Sequence, residues 1–127
     1  MLERLAVIFV GGCVGGLTRY AVTHAWPTPV SGFPWSTFTV NLVGAFVLGV
    51  VVVFAAETRG SRHLRLLVGT GFCGALTTFG SVVVAVDELL AHHHAGTATA
   101  YLIATAASAL LAAGIGLAFA RSMVARW

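Results

Sequence analysis

The sequence predicts an all-α membrane protein with four transmembrane helices, and three observations carry that expectation. Of its 127 residues, 58% are hydrophobic and only 9% charged, at a mean hydropathy of +0.95. A soluble domain carries roughly 25% charged residues, so this chain lacks a surface suited to water. Its apolar residues also fall into four runs near the ~20 residues that cross a bilayer, with short links and no length left for a soluble module.

The first run, at about 5–24, is apolar from Leu5 to Tyr20 apart from Thr18 and Arg19. Glu3 and Arg4 make a poor n-region and Leu5 to Val10 a short h-region, so it reads as a retained span. The link that follows, Trp26 to Pro34, holds all three prolines, where a missing N–H does no harm. The second run is 38–56, the third 66–86 after a Glu57 to Arg65 link, and the fourth 98–120 after an Asp87 to Thr97 link. Trp26, Trp35 and Trp127 fall near these ends, where amphipathic rings favour the headgroup layer.

Charge placement predicts orientation. With a cytoplasmic N-terminus, Arg4, Arg59, Arg62, Arg65, Arg121 and Arg126 share one side, six arginines against none in the opposite links. That bias places both termini in the cytoplasm and the chain in the cell membrane. The pI of about 9.5 then reflects topology. Scattered arginines without a basic patch or interleaved aromatics exclude a nucleic-acid partner.

Glycines mark where helices meet. Gly11, Gly12, Gly15 and Gly16 form overlapping small-xxx-small pairs, and Gly44, Gly49, Gly114 and Gly116 add further close-approach points. Four short helices hardly enclose a pathway alone, so a dimer is expected. Gly69-Thr70-Gly71-Phe72-Cys73-Gly74 fits G-x-G-x-x-G by chance, since no strand precedes it. The run reads as a third helix weakened and broken mid-membrane, freeing carbonyls that suit a hard monovalent cation.

Catalysis finds no support: H-E-x-x-H, G-x-S-x-G and Walker motifs are all missing, so the chain is not read as an enzyme. Cys13 and Cys73 lack C-x-x-C spacing and read as reduced, packed small residues. His92-His93-His94 is a solvated link, because consecutive histidines do not converge on one ion, and Asp87 and Glu88 are solvated acids ending the third span. No acid lies mid-span, which disfavours a small-multidrug-resistance type of exporter that trades protons. The interior polar set is neutral: Asn41, Thr77, Thr78, Ser81 and Thr105, with Tyr101 near the start of the fourth span. Polar groups at that depth line something wet or ionic. Neutral donors suit an anion that must be held and released.

Three motifs, in order and at matching spacing, resemble the CrcB/Fluc fluoride channels. They are Gly11-Gly12-x-x-Gly15-Gly16-x-x-Arg19-Tyr20, the Thr37 to Gly44 run Thr-x-x-Val-Asn-x-x-Gly, and Gly71-Phe72-Cys73-Gly74-x-x-Thr77-Thr78-Phe79. The resemblance implies a dual-topology antiparallel dimer with two fluoride pores and a structural sodium ion (Na+) at its centre. It also implies passive export of fluoride that entered as hydrofluoric acid. By position, Asn41 would donate to fluoride, Phe79 would turn its ring edge to the anion, and Gly74 and Thr77 would offer carbonyls to sodium. Arg19 matches the vestibule arginine. Thr78, Ser81, Tyr101 and Thr105 would complete the polar track. The family pattern Thr-Thr-Phe-Ser-Thr-Phe reads here Thr77-Thr78-Phe79-Gly80-Ser81-Val82. With the arginine bias, these departures leave open a homodimer, a heterodimer with an oppositely oriented homologue, or a subunit that does not conduct.

Overall fold

In lipid every backbone polar group needs an internal partner, so long apolar runs become helices. The structure, a computed structural model, describes residues 1–57 and 62–126; Arg59 and Trp127, both used in the sequence reading, lie outside the described residues. Helix α1 spans Leu2–Ala25, α2 Trp35–Glu57 and α5 Ala95–Val124. The third span has two pieces, α3 (residues 62–76) and α4 (Gly80–Ala91). All four spans are long and apolar enough to cross a membrane, which makes this a multi-pass membrane protein.

The packing partners are alternate rather than sequential: α1 lies on α3, and α2 on α5. Glycine explains both pairings. A Cβ on Gly11 or Gly15 would run into the Leu67 or Phe72 carbonyl, and one on Gly49 or Gly116 into the Ala113 or Phe46 carbonyl. Backbones can touch only where side chains are missing, and in lipid such grooves substitute for a hydrophobic drive. The other predicted close-approach glycines behave differently. Gly16 and Gly114 have open space where a Cβ would stand, and Gly12 nearly so. Cys13 is likewise exposed instead of packed, whereas Cys73 is buried as expected; both are free thiols.

The third span departs from the sequence reading in one respect. The glycine-rich run does not come apart: Arg65–Cys73 forms a π-helix, with wider i→i+5 turns. Gly71 serves packing, since a Cβ there would stand 2.6 Å from the Ile8 carbonyl, whereas one on Gly69 would meet only ordinary contacts and one on Gly74 nothing within 4 Å. Helical geometry stops three residues after the run, at Thr77, which is extended at φ −78°, ψ 147°.

The last link is shorter than expected. Asp87 and Glu88 are exposed but lie within α4, and α5 already starts at Ala95, leaving only His92, His93 and His94 between. His93 takes a left-handed φ of 63°, with His94 N–H bonded to the Leu89 carbonyl (2.8 Å) and His93 N–H to that of Leu90 (3.0 Å). This is a Schellman ending with histidine where glycine is usual, which is why no glycine signalled it. At the opposite end, Glu3 Oε1 and His63 Nε2 lie 3.1 Å apart and set the start of α3 beside the start of α1. Trp26 and Trp35 are half exposed at helix ends, as expected of interfacial anchors.

Candidate functional site

Thr77, Thr78 and Phe79 form a non-helical bridge between α3 and α4, and their backbone groups need partners from elsewhere. Asn41, in the middle of α2, supplies both kinds. Thr78 N–H donates to Asn41 Oδ1 (2.8 Å), and Asn41 Nδ2 donates to the Thr78 carbonyl (3.2 Å). Only an amide offers donor and acceptor side by side, and this one keeps a second N–H uncommitted to Thr78. One turn further along α2, Gly44 makes room for the bridge, because a Cβ there would collide with Thr77 Cγ2. The Thr78 hydroxyl starts α4: Oγ1 accepts the Ser81 N–H (3.1 Å) and donates to Ser81 Oγ (3.2 Å). Such a side-chain acceptor satisfies an N–H that the first helical turn leaves bare. Thr77 Oγ1 folds back onto the Cys73 carbonyl at 2.9 Å.

These bonds divert two helical donors. In an unbroken helix the Thr78 N–H would reach the Gly74 carbonyl and the Ser81 N–H that of Thr77. Here the first goes to Asn41 and the second to Thr78 Oγ1. Among the described residues, no backbone N–H outside the helices donates to either carbonyl. Gly74 is exposed, with nothing within 4 Å of where its Cβ would be. The two carbonyls assigned to a cation from sequence are therefore stripped of their usual donors, and a hard monovalent cation fits that donor chemistry.

Two hollows meet at the bridge. One is a cavity of about 670 Å³ whose wall includes Arg19, Thr37, Thr78, Ser81, Glu88 and His92. The other is an open groove of about 370 Å³ between α2 and α5, bordered by Asn41, Thr77, Thr78, Phe79, Val82 and Thr105. Thr78 borders both. Phe79 is 75% exposed, although it sits at the heart of the sequence motif. Among the described residues, Thr105 Oγ1 and the Tyr101 hydroxyl are buried with no hydrogen-bond partner. Tyr101 does not border either hollow and packs edge-on against Phe33 at 5.2 Å.

Sequence reasoning thus named five residues that the fold gathers into one knot: Asn41, Thr77, Thr78, Phe79 and Ser81. It treated Glu88 and His92 as solvated groups only, and missed that they share a cavity wall with Arg19. The available signal was spacing, since Ser81 and Glu88 stand at i and i+7 along one face of α4 and His92, its C-cap, continues that face at i+11.

The family model for "CrcB-like protein, Camphor Resistance (CrcB)" matches residues 6–117, which include the knot and both hollows. The chain belongs to the CrcB family. It is 43% identical to "Fluoride-specific ion channel FluC 1" of Streptomyces coelicolor, over 97% of this chain and 80% of that protein. It is 40% identical to "Fluoride-specific ion channel FluC 1" of Mycolicibacterium paratuberculosis, over 98% of this chain and 95% of that one. Relative to the CrcB pattern, Val82, standing in the place of the second phenylalanine, is buried and borders the groove, while Gly80 is exposed.

Proposed function

We propose that this CrcB-family chain forms half of a fluoride-selective channel in the cell membrane, through which fluoride leaves the cytoplasm passively. The observation that carries the reading is the bridge: a polar, non-helical segment inside an apolar span, held by one buried amide and flanked by hollows on two sides. The names of its relatives support fluoride as the ion.

Moving even a carboxylate-sized ion from water into a dry interior costs on the order of 20 kcal/mol, and fluoride is smaller. Donors at successive depths must replace its water. Arg19 draws the anion into the cavity by charge. Ser81, whose oxygen accepts the Thr78 hydroxyl, offers its own O–H at the cavity wall, the free N–H of Asn41 donates next, and the Phe79 edge carries partial positive charge along the groove. Thr105, on the groove wall, brings a hydroxyl that can turn toward an ion, and Tyr101 stands buried one turn away behind it, beside the Thr105 and Thr37 hydroxyls. No bond is made or broken, so the protein works as a conduit and not as an enzyme.

The groove is open on one side, and Phe79, Gly74, Gly16 and Gly114 face outward from the single chain. An antiparallel second subunit would close it, leaving two pores. The Gly74 and Thr77 carbonyls would hold a structural sodium ion there, whose fixed charge favours anions nearby. Both termini are assigned to the cytoplasm. Five exposed arginines on segments at that end (Arg4, Arg62, Arg65, Arg121 and Arg126) favour one orientation, and Val82 leaves the lining one aromatic ring short of the family pattern. Those two observations support a second reading, in which the partner is an oppositely inserted homologue.

Fluoride and chloride efflux from liposomes tests the proposal. A fast leak confined to fluoride is expected; equal leaks, or none with either homodimer or homologous pair, overturn it.

A further inference from the structure

The wall of the anion cavity includes an imidazole, that of His92. His92 follows the last residue of α4, and its Nδ1 lies 2.8 Å from the Glu88 carbonyl, which also accepts the His92 backbone N–H at 3.2 Å. A carbonyl oxygen only accepts, so Nδ1 must carry hydrogen and Nε2 is the nitrogen left to gain a proton. The ring is thus pinned at a helix C-terminus, where the macrodipole favours a cation.

The cavity wall holds three chargeable side chains: Arg19 from α1, Glu88 from α4 and His92. With a neutral imidazole, Arg19 and Glu88 balance. A protonated one leaves the wall at net +1. Among the described residues, no second switch lies inside the cavity. α1 contributes Tyr20 and His24, stacked on each other at 5.7 Å and outside the cavity wall. The Trp26 to Pro34 link and residues 95–100 of α5 carry no ionisable side chain. Asp87, His93 and His94 are neighbours in sequence but do not border the cavity.

We propose that His92 sets the pH dependence of fluoride uptake at this mouth: protonation at Nε2 turns a balanced cavity into an attracting one and raises the flux. The proposal rests on the channel reading above. A unit charge about 10 Å from an ion in water changes its occupancy about twofold, and more where protein walls lower the dielectric.

The test is fluoride efflux from liposomes at low fluoride, with matched pH on both sides, at pH 5.5 and 7.5 and with protein-free leak subtracted. The original chain is expected to conduct about two- to fourfold faster at pH 5.5. H92Q should keep the slower rate at both pH values, and H92K the faster rate at both. Concentrated potassium gluconate should compress all three toward one rate, because salt screens exposed charge. A pH slope that survives in H92Q, or an H92K flux no higher than that of H92Q, overturns the role of His92 while fluoride conduction stands. Absence of fluoride-selective flux from the original chain and both variants overturns the channel reading itself.

Discussion

Replacing Asn41 with leucine removes the amide while keeping its branched shape and number of heavy atoms, and it strikes stability and conduction separately. Two hydrogen bonds to Thr78, at 2.8 and 3.2 Å, disappear together. Leaving a buried N–H and C=O unpaired costs about 1–3 kcal/mol each. Interhelical hydrogen bonds in membranes are weaker, with a mean near 0.6 kcal/mol. Because both bonds here are part-buried, the lower values govern, and the expected loss is about 1–3 kcal/mol. Denaturant titration of purified protein should therefore show a lower midpoint with helix content retained before unfolding. Fluoride efflux should fall by at least two orders of magnitude, since the donor for the dehydrated ion is gone and the bridge is released. Asn41→Asp separates the two duties. It keeps an acceptor for the Thr78 N–H, so part of the stability returns, but it presents negative charge to an anion and should conduct no better than the leucine variant. Fluoride flux within twofold of the original protein in Asn41→Leu, in a stably assembled sample, would refute the reasoning.

Gly44→Val should destabilise by about 1–3 kcal/mol, as overpacking does, by pushing against the Thr77 methyl; a denaturation midpoint equal to that of the parent would contradict this. Gly74→Val meets open space within the subunit and should leave helix content by circular dichroism unchanged, while size-exclusion chromatography shows loss of the dimer. His93→Gly relieves a left-handed residue that costs an L-amino acid roughly 1–2 kcal/mol, so the midpoint should rise, with fluoride flux unaltered.

Hydropathy was enough to read four membrane helices, because a chain in lipid has few ways to satisfy its backbone and length alone fixes the count. The same logic marked Asn41 and Thr77-Thr78-Phe79: polar groups in apolar runs are costly, so they stand out in one dimension. Helix ends were harder to place. The α4 terminus at His93 depends on a left-handed residue that composition does not announce. The division of glycines was also invisible, since Gly11 and Gly12 are neighbours in sequence and opposites in space: one seats a carbonyl of α3 and the other has almost nothing within 4 Å. Above all, the position of the break depends on a partner 37 residues away. Glycine content weakens the third helix along its length, but a hydrogen bond from Asn41 selects Thr78, and that choice strips the Gly74 and Thr77 carbonyls. Apolar burden accumulates along the chain and can be summed locally, whereas hydrogen bonds exchange partners across helices and exist only once those helices are packed.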